Sequence, residues 1–164
     1  MNILDLLHKN KQINQWQSGL NKLTRQLLLG LTGTSKSLVM ATAYDCLAEK
    51  IMIVTATQND AEKLVADLTA IVGSENVYNF FTDDSPIAEF VFASKERAQS
   101  RIDSLNFLTD STSSGILVAS MAACRVLLPS PETYKGSKIQ LEVGQEIEVD
   151  NLVKNLVLSR FQYG

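Results

Sequence analysis

The sequence has few cysteines, prolines and glycines, the residues that are abundant in proteins without a large apolar core. It contains two cysteines, three prolines and eight glycines in 164 residues, which excludes a disulfide framework and a collagen-like or low-complexity chain. No apolar run approaches the roughly 18 to 20 residues that cross a bilayer, and residues 1–5 (MNILD) lack the basic start of a secretory signal. We therefore expect a globular protein of the cytoplasm.

The sequence also lacks an excess of positive charge. Fifteen Lys and Arg residues face eighteen Asp and Glu residues, so the formal net charge is −3, and no basic stripe is visible. A protein that grips duplex DNA by itself usually gathers Lys and Arg on one surface, where they displace counterions from the phosphates. Binding of nucleic acid by this chain alone is therefore disfavoured.

The two cysteines and the single histidine are too few and too scattered for a metal site. Cys46 lies in a predicted helix and Cys124 just after a predicted strand, and their spacing suits neither zinc nor a disulfide framework. We interpret both as reduced thiols buried in the core. His8 has no cysteine or second histidine nearby in the sequence, so a solvated or capping role is favoured over a catalytic one. Trp16 is interpreted as a core contact.

Apolar runs and amphipathic stretches alternate through the first 128 residues. Runs that are apolar throughout and separated by helices are typical of a parallel sheet covered on both faces. The predicted fold class is α/β, with a P-loop NTPase (RecA/helicase)-like sheet. The predicted strands are residues 26–29, 51–55, 77–81 and 115–120, and the predicted helices cover residues 3–9, 12–21, 36–48, 61–72 and 94–108.

The pattern changes after residue 128. Pro129, Pro131 and Gly136 interrupt it, and residues 138–143 alternate strictly between polar and apolar, as in a strand with one solvated face. We place one domain at residues 1–128 and the linker and beginning of a second, small α+β domain at residues 129–164. A helix with an apolar stripe is predicted from residue 152 onward. About 30 residues are too few to close a core, so we expect the second domain to be truncated.

One segment carries readable chemistry. Residues 30–37 read Gly-Leu-Thr-Gly-Thr-Ser-Lys-Ser between a predicted strand and a predicted helix. The phosphate-binding loop G-x-x-x-x-G-K-[ST] surrounds phosphates with backbone N–H groups, its Lys reaches their oxygens, and its hydroxyl holds Mg²⁺. Ser35 stands where the second glycine should be, so we predict a degenerate loop that binds an anion at most. Its candidate residues are Gly30, Thr32, Gly33, Thr34, Lys36 and Ser37.

No dependable catalytic group accompanies this loop. A nucleoside triphosphatase needs an acidic residue after a neighbouring strand to hold Mg²⁺. Asp83 and Asp84 follow a predicted strand, but Ser85 and Pro86 come next, and this composition favours a turn. Arg97, Arg101 and Arg125 are interpreted as solvated surface charges. We therefore predict no catalytic residue, no metal site and no bound cofactor in this chain.

These segments together resemble one family. The ensemble resembles the N-terminal, UvrB-like region of the bacterial transcription-repair coupling factor, over nearly the whole chain. The resemblance is carried by residues 25–37, residues 54–57 with Asn59, residues 76–78, the helix of residues 94–105, residues 118–128 with Pro129 and Pro131, and residues 139–147 with the helix that follows. In this family the loop is typically decayed, so the retention of Lys36 and Ser37 is a departure.

The resemblance implies a role in transcription-coupled nucleotide excision repair. In the full-length protein an ATP- and Mg-dependent motor in other domains translocates on duplex DNA and removes stalled RNA polymerase. The N-terminal region is the end that recruits UvrA. The UvrA contact in this family sits on strands that follow a segment like residues 152–161, so we expect these residues alone to bind UvrA weakly or not at all.

Two alternatives remain open from the sequence. A fragment of UvrB itself would carry an intact loop and an aromatic-rich hairpin after the loop helix, and neither is present. An active P-loop ATPase or nucleotide kinase would bind ATP with Mg²⁺ tightly and depend on Lys36.

Overall fold

The computed structural model describes residues 3–20, 22, 25–81, 95–139, 144–146 and 148–154. The chain divides into two units, Met1–Val126 and Leu127–Gly164. Three predicted features lie outside the described residues. They are the start of a helix at Ser94, the turn with Asp83 and Asp84, and the part of the last helix beyond residue 154. Each unit is considered by itself.

A parallel sheet forms the centre of the first unit. Its described strands are β1 (Lys50–Thr55), β2 (Val77–Phe80) and β3 (Gly115–Ser120), in the order β1-β3-β2. Lys50 pairs with Gly115, and Val77 with Ile116, at the start of the two ladders. All six residues of β3 are buried, as expected for an apolar strand between two neighbours with helices on both faces. The predicted α/β class with a parallel sheet is confirmed.

Helices cover the two faces of the sheet unequally. They are α1 (Ile3–Leu7), α2 (Lys11–Leu20), α3 (Ser35–Leu47), α4 (Gln58–Val72) and α5 (Lys95–Thr109). One core cluster joins buried residues of α1, α3 and α4 to Ile116 and Val118, and a second joins Phe107 of α5 to Leu117 and Ala119. On β1, the side chains that alternate with those in the first cluster are exposed, Met52 at 56% and Val54 at 46%.

Helix α4 follows directly from its sequence. The Thr57 hydroxyl accepts a hydrogen bond from the N–H of Asp60 and so caps the first turn. Ala61 and Leu68 are fully buried on the stripe that the sequence predicts. Gly73 ends the helix with φ +91°, a conformation that glycine adopts at little cost. The predicted helix and its end are confirmed.

The predicted strand at residues 26–29 is wrong. In the described part of the sheet this segment pairs with no strand, and Leu27 and Leu29 are 80% and 81% exposed. The side-chain amide of Gln26 instead reaches the last turn of α2; in the orientation that satisfies both of its groups, its nitrogen donates to the carbonyl of Trp16 at 3.3 Å and its oxygen accepts from the N–H of Leu20 at 3.2 Å. A short apolar run carries no information about its partner, and here the segment attaches to a helix.

The interpretation of the cysteines as buried thiols is also wrong. Both Cys46 and Cys124 are exposed. The buried residues of α3 all lie between Ser37 and Ala43, so Cys46 comes after the part of the helix that faces the core. Cys124 lies in the short 3-10 helix Ala123–Arg125, where Ala123 is the buried residue.

An aromatic pair closes the second core cluster. The rings of Tyr78 on β2 and Phe107 on α5 stack with their centroids 4.2 Å apart and their planes 15° from parallel. Lys50 Nζ lies 4.8 Å from the centroid of the Phe107 ring. The same ammonium donates to the carbonyls of Phe107 and Asp110 and so caps the end of α5. The start of β1 is thereby connected to the helix that precedes β3.

The second unit contains the helix α6 (Pro131–Gly136), and residues 149–154 are helical. The Ser130 hydroxyl accepts from the N–H of Thr133 and caps α6. Hydrogen bonds from the backbone N–H of Glu132 and from the Ser130 hydroxyl hold the pKa of Glu132 below its usual value. Because this pKa is lowered, the ionised Glu132 carboxylate stabilises the folded state through these hydrogen bonds. This contribution is lost as the pH falls through the lowered pKa and the carboxylate is protonated. Of the predicted strand at 138–143, residues 138 and 139 are not in a strand, and the rest lie outside the described residues.

Candidate functional site

The Gly30–Ser37 loop runs into α3, whose first three residues are its last three, and it contains two glycines that the backbone requires. Gly30 has φ +82° and Gly33 has φ +52°, both in the region that side chains with a Cβ rarely adopt. Nothing lies within 4 Å of a Cβ added at either glycine, so the conformation, not crowding, selects glycine. Gly30, Thr32, Gly33 and Thr34 are all exposed.

Ser35 occupies the position of the second glycine in the motif, and its side chain closes the loop. Its hydroxyl accepts from the N–H of Thr32 at 2.9 Å and donates to the carbonyl of Thr32 at 2.6 Å. Its backbone N–H donates to the same carbonyl at 3.2 Å, and the N–H of Lys36 donates to the carbonyl of Gly33 at 3.3 Å. Three backbone donors of the kind that surround a phosphate therefore already have partners within the loop.

Ser37 points into the protein. It is 2% exposed, and its hydroxyl donates to Asp67 Oδ2 on α4 at 2.6 Å. In a phosphate loop this hydroxyl would be a ligand of Mg²⁺. Here it binds a carboxylate of a neighbouring helix, and this short, charge-assisted contact joins α3 to α4.

Lys36 is the charged residue among the candidates, and it is exposed to solvent. The structure thus brings Gly30, Thr32, Gly33, Thr34 and Lys36 together on one exposed loop and separates Ser37 from them. Among the described residues, no group of three His, Cys, Asp or Glu side chains is placed to hold a metal ion. The candidate acids Asp83 and Asp84 lie outside the described residues.

The arginines considered as possible catalytic residues are exposed. Arg97 and Arg101 lie on α5, and Arg125 lies in the 3-10 helix after β3. The guanidinium of Arg101 stands 5.5 Å from the centroid of the Phe80 ring, so it covers part of the second core cluster.

Sequence reasoning missed two residues that organise this part of the molecule. Asp67 lies next to Leu68 of the apolar stripe of α4, and nothing in the sequence distinguishes it from a solvated acid. Gln17 is buried on α2, where its Nε2 lies 3.4 Å from the carbonyl of Thr42 and donates to it.

Comparison with known proteins finds similarity to the transcription-repair-coupling factors of two bacteria. No family model matches it. A transcription-repair-coupling factor of Bacillus subtilis (strain 168) is 31% identical over 157 residues, which is 95% of this chain. Over nearly all of its length the chain is similar to a transcription-repair-coupling factor. A coupling factor of Staphylococcus aureus (strain bovine RF122 / ET3-1) is 27% identical over 150 residues, or 90% of this chain.

The similarity to the coupling factors covers nearly all of this chain but little of theirs. The chain spans about 13% of the length of the curated coupling factors it matches. In the part of the chain that the structure describes, none of the helices has the length and apolar content needed to span a membrane.

Proposed function

We propose that this chain is a non-catalytic module of a transcription-repair coupling factor. The observation that carries the proposal is the similarity to the coupling factor of Bacillus subtilis over 95% of the chain. In this proposal the full-length protein acts in transcription-coupled nucleotide excision repair. It removes stalled RNA polymerase by moving on duplex DNA, and ATP and Mg²⁺ act in domains other than this one. The module belongs to the part that recruits UvrA.

The same proposal treats the sheet as P-loop NTPase-like and the Gly30–Ser37 loop as a degenerate phosphate loop. Four hydrogen bonds support this reading of the loop. The Ser35 hydroxyl and the carbonyls of the loop take up the N–H groups of Thr32, Ser35 and Lys36. The Ser37 hydroxyl is taken up by Asp67. A phosphate would have to displace these bonds, and the Asp67 carboxylate opposes its charge.

An active P-loop ATPase is the second candidate function. Lys36, exposed beside the start of α3, is the observation that favours it, because a lysine at this motif position contacts the β and γ phosphates. A fragment of UvrB has no specific contact in its favour.

Ser37→Ala distinguishes a structural hydroxyl from a catalytic one. We expect it to lower the free energy of unfolding by about 1–3 kcal/mol, because Asp67 loses its buried donor. The neighbouring exposed variant Lys36→Ala should change it by no more than about 0.5 kcal/mol. Urea unfolding measures both. In calorimetric titration with ATP and Mg²⁺, wild type and both variants should show no tight binding. Tight, Mg-dependent binding with release of phosphate, abolished in Lys36→Ala, would establish the ATPase instead.

Binding of UvrA tests the assignment to the recruitment region. In a pull-down, we expect the full-length Bacillus subtilis relative to retain UvrA and these 164 residues to retain much less. The reason is that the resemblance puts the UvrA contact on strands that follow a segment like residues 152–161. Equal retention by the two proteins would contradict this location of the contact. Failure of the full-length relative to retain UvrA would contradict the recruitment role itself.

A further inference from the structure

The only histidine of the chain lies where the first three helices meet. His8 follows α1, and its Nε2 lies 2.8 Å from Asp45 Oδ2 on α3. Its Nδ1 lies 3.3 Å from Nε2 of Gln17 on α2. The same Gln17 nitrogen donates to the carbonyl of Thr42 on α3 at 3.4 Å. One imidazole ring and one amide therefore connect α1, α2 and α3.

These contacts indicate which nitrogen carries the hydrogen when the His8 ring is neutral. The Gln17 Nε2 atom carries only hydrogens, so it donates to both of its neighbours, and His8 Nδ1 must accept with a lone pair. The hydrogen of the neutral ring then sits on Nε2 and points to Asp45. When the ring is neutral, these contacts favour the tautomer with its hydrogen on Nε2.

The two sides of the ring differ in burial. Gln17 is 8% exposed and Thr42 is fully buried, whereas the Asp45 carboxylate is more than half exposed. The charged groups on the elements around His8 are Asp5 on α1 and Lys9 after it, Lys11 at the start of α2, and Lys36 and Asp45 on α3, of which Asp45 is in direct contact with the ring. Water therefore reaches the Asp45 side readily but not the Gln17 side.

We propose that protonation of His8 loosens α2 from α3. Residues 3–20 then form a two-helix segment whose packing on α3 depends on pH. A second ring proton goes to Nδ1, which then faces the NH₂ group of Gln17. Both groups are now hydrogen-bond donors, so the bond between them is lost. The bond from Nε2 to Asp45 persists in both states, so α1 keeps its contact.

Rotation of the Gln17 amide does not remove the conflict. Turned by half a revolution, its oxygen accepts from Nδ1–H but then stands against the buried carbonyl of Thr42. In either orientation, one of the two polar contacts that α2 makes through Gln17 is lost. Histidine is the side chain whose charge ordinarily changes between about pH 5 and 8, so this is the pH range to test.

Hydrogen exchange of α2 amides, corrected for intrinsic rates, measures this loosening in the whole chain. From pH 8 to pH 5.5, we expect protection in α2 to fall about two- to tenfold, the equivalent of one hydrogen bond, while α4 changes little. Emission from Trp16, the only tryptophan and a residue of α2, should follow the same transition. Protection in α2 that is independent of pH, or that falls equally in α4, would overturn the proposal.

Two variants test the donor arrangement. His8→Gln keeps one donor and one acceptor but cannot gain a proton, so α2 should remain protected at pH 5.5. Gln17→Glu gives the charged ring an acceptor, so α2 should be better protected at pH 5.5 than at pH 8, the reverse of wild type. If Gln17→Glu does not fold, His8→Gln still decides. The same loss of protection in His8→Gln as in wild type would disprove the role of the ring.

Discussion

Replacing Leu68 by Ala should lower the free energy of unfolding by about 2–5 kcal/mol. Leu68 is fully buried on α4 against Ile116 and Val118, so truncation leaves a cavity beneath the central strand. Urea unfolding followed through Trp16, which lies in the same unit, gives the value.

The matched control is Leu27→Ala, the same truncation at a residue that is 80% exposed. Its effect should stay within about 0.5 kcal/mol. The pair also tests the correction at residues 26–29. A leucine in a covered strand would cost as much as Leu68, so comparable losses in the two variants would mean that this segment belongs to the sheet after all.

Gly115→Ala should destabilise the first unit by about 1–3 kcal/mol. A Cβ at this position would stand 3.0 Å from ring atoms of both Phe107 and Tyr78, and 3.1 Å from the carbonyl of Asn76. The two rings are stacked on each other, and the carbonyl is backbone, so none of the three can move away freely.

Gly136→Ala provides the comparison for Gly115→Ala. Nothing lies within 4 Å of a Cβ at Gly136, and the residue is exposed at the end of α6. This variant should be as stable as wild type or slightly more so. If Gly115→Ala and wild type had the same midpoint of urea unfolding, the aromatic pair would not be packed against the start of β3.

The sequence predicts the sheet best where burial is complete. Every residue of β3 is buried, and an uninterrupted apolar run is what such a position requires. The leucines at 27–29 form an equally apolar run, yet they are exposed, because strand formation depends on a partner that local composition does not encode. The order of the strands is likewise a property of tertiary pairing.

The candidate site shows the same division. Gly30 and the exposed Lys36 follow from the motif, since backbone geometry and charge are local properties. The partner of Ser37 does not, because Asp67 is thirty residues away on another helix and resembles any solvated acid in the sequence. The closure of the loop by Ser35 requires a turn geometry that the motif alone leaves undefined.

The order of the strands has a consequence for synthesis on the ribosome. Within the described sheet, β1 and β2 do not pair with each other, and both find their ladder partner in β3. A nascent chain that has not yet emerged as far as residue 120 therefore has helices to form but no complete ladder to join them to. Such long-range pairing is slow. Until it is complete, the unpaired backbone edges and the apolar side chains of β1 and β2 are accessible to chaperones and to self-association.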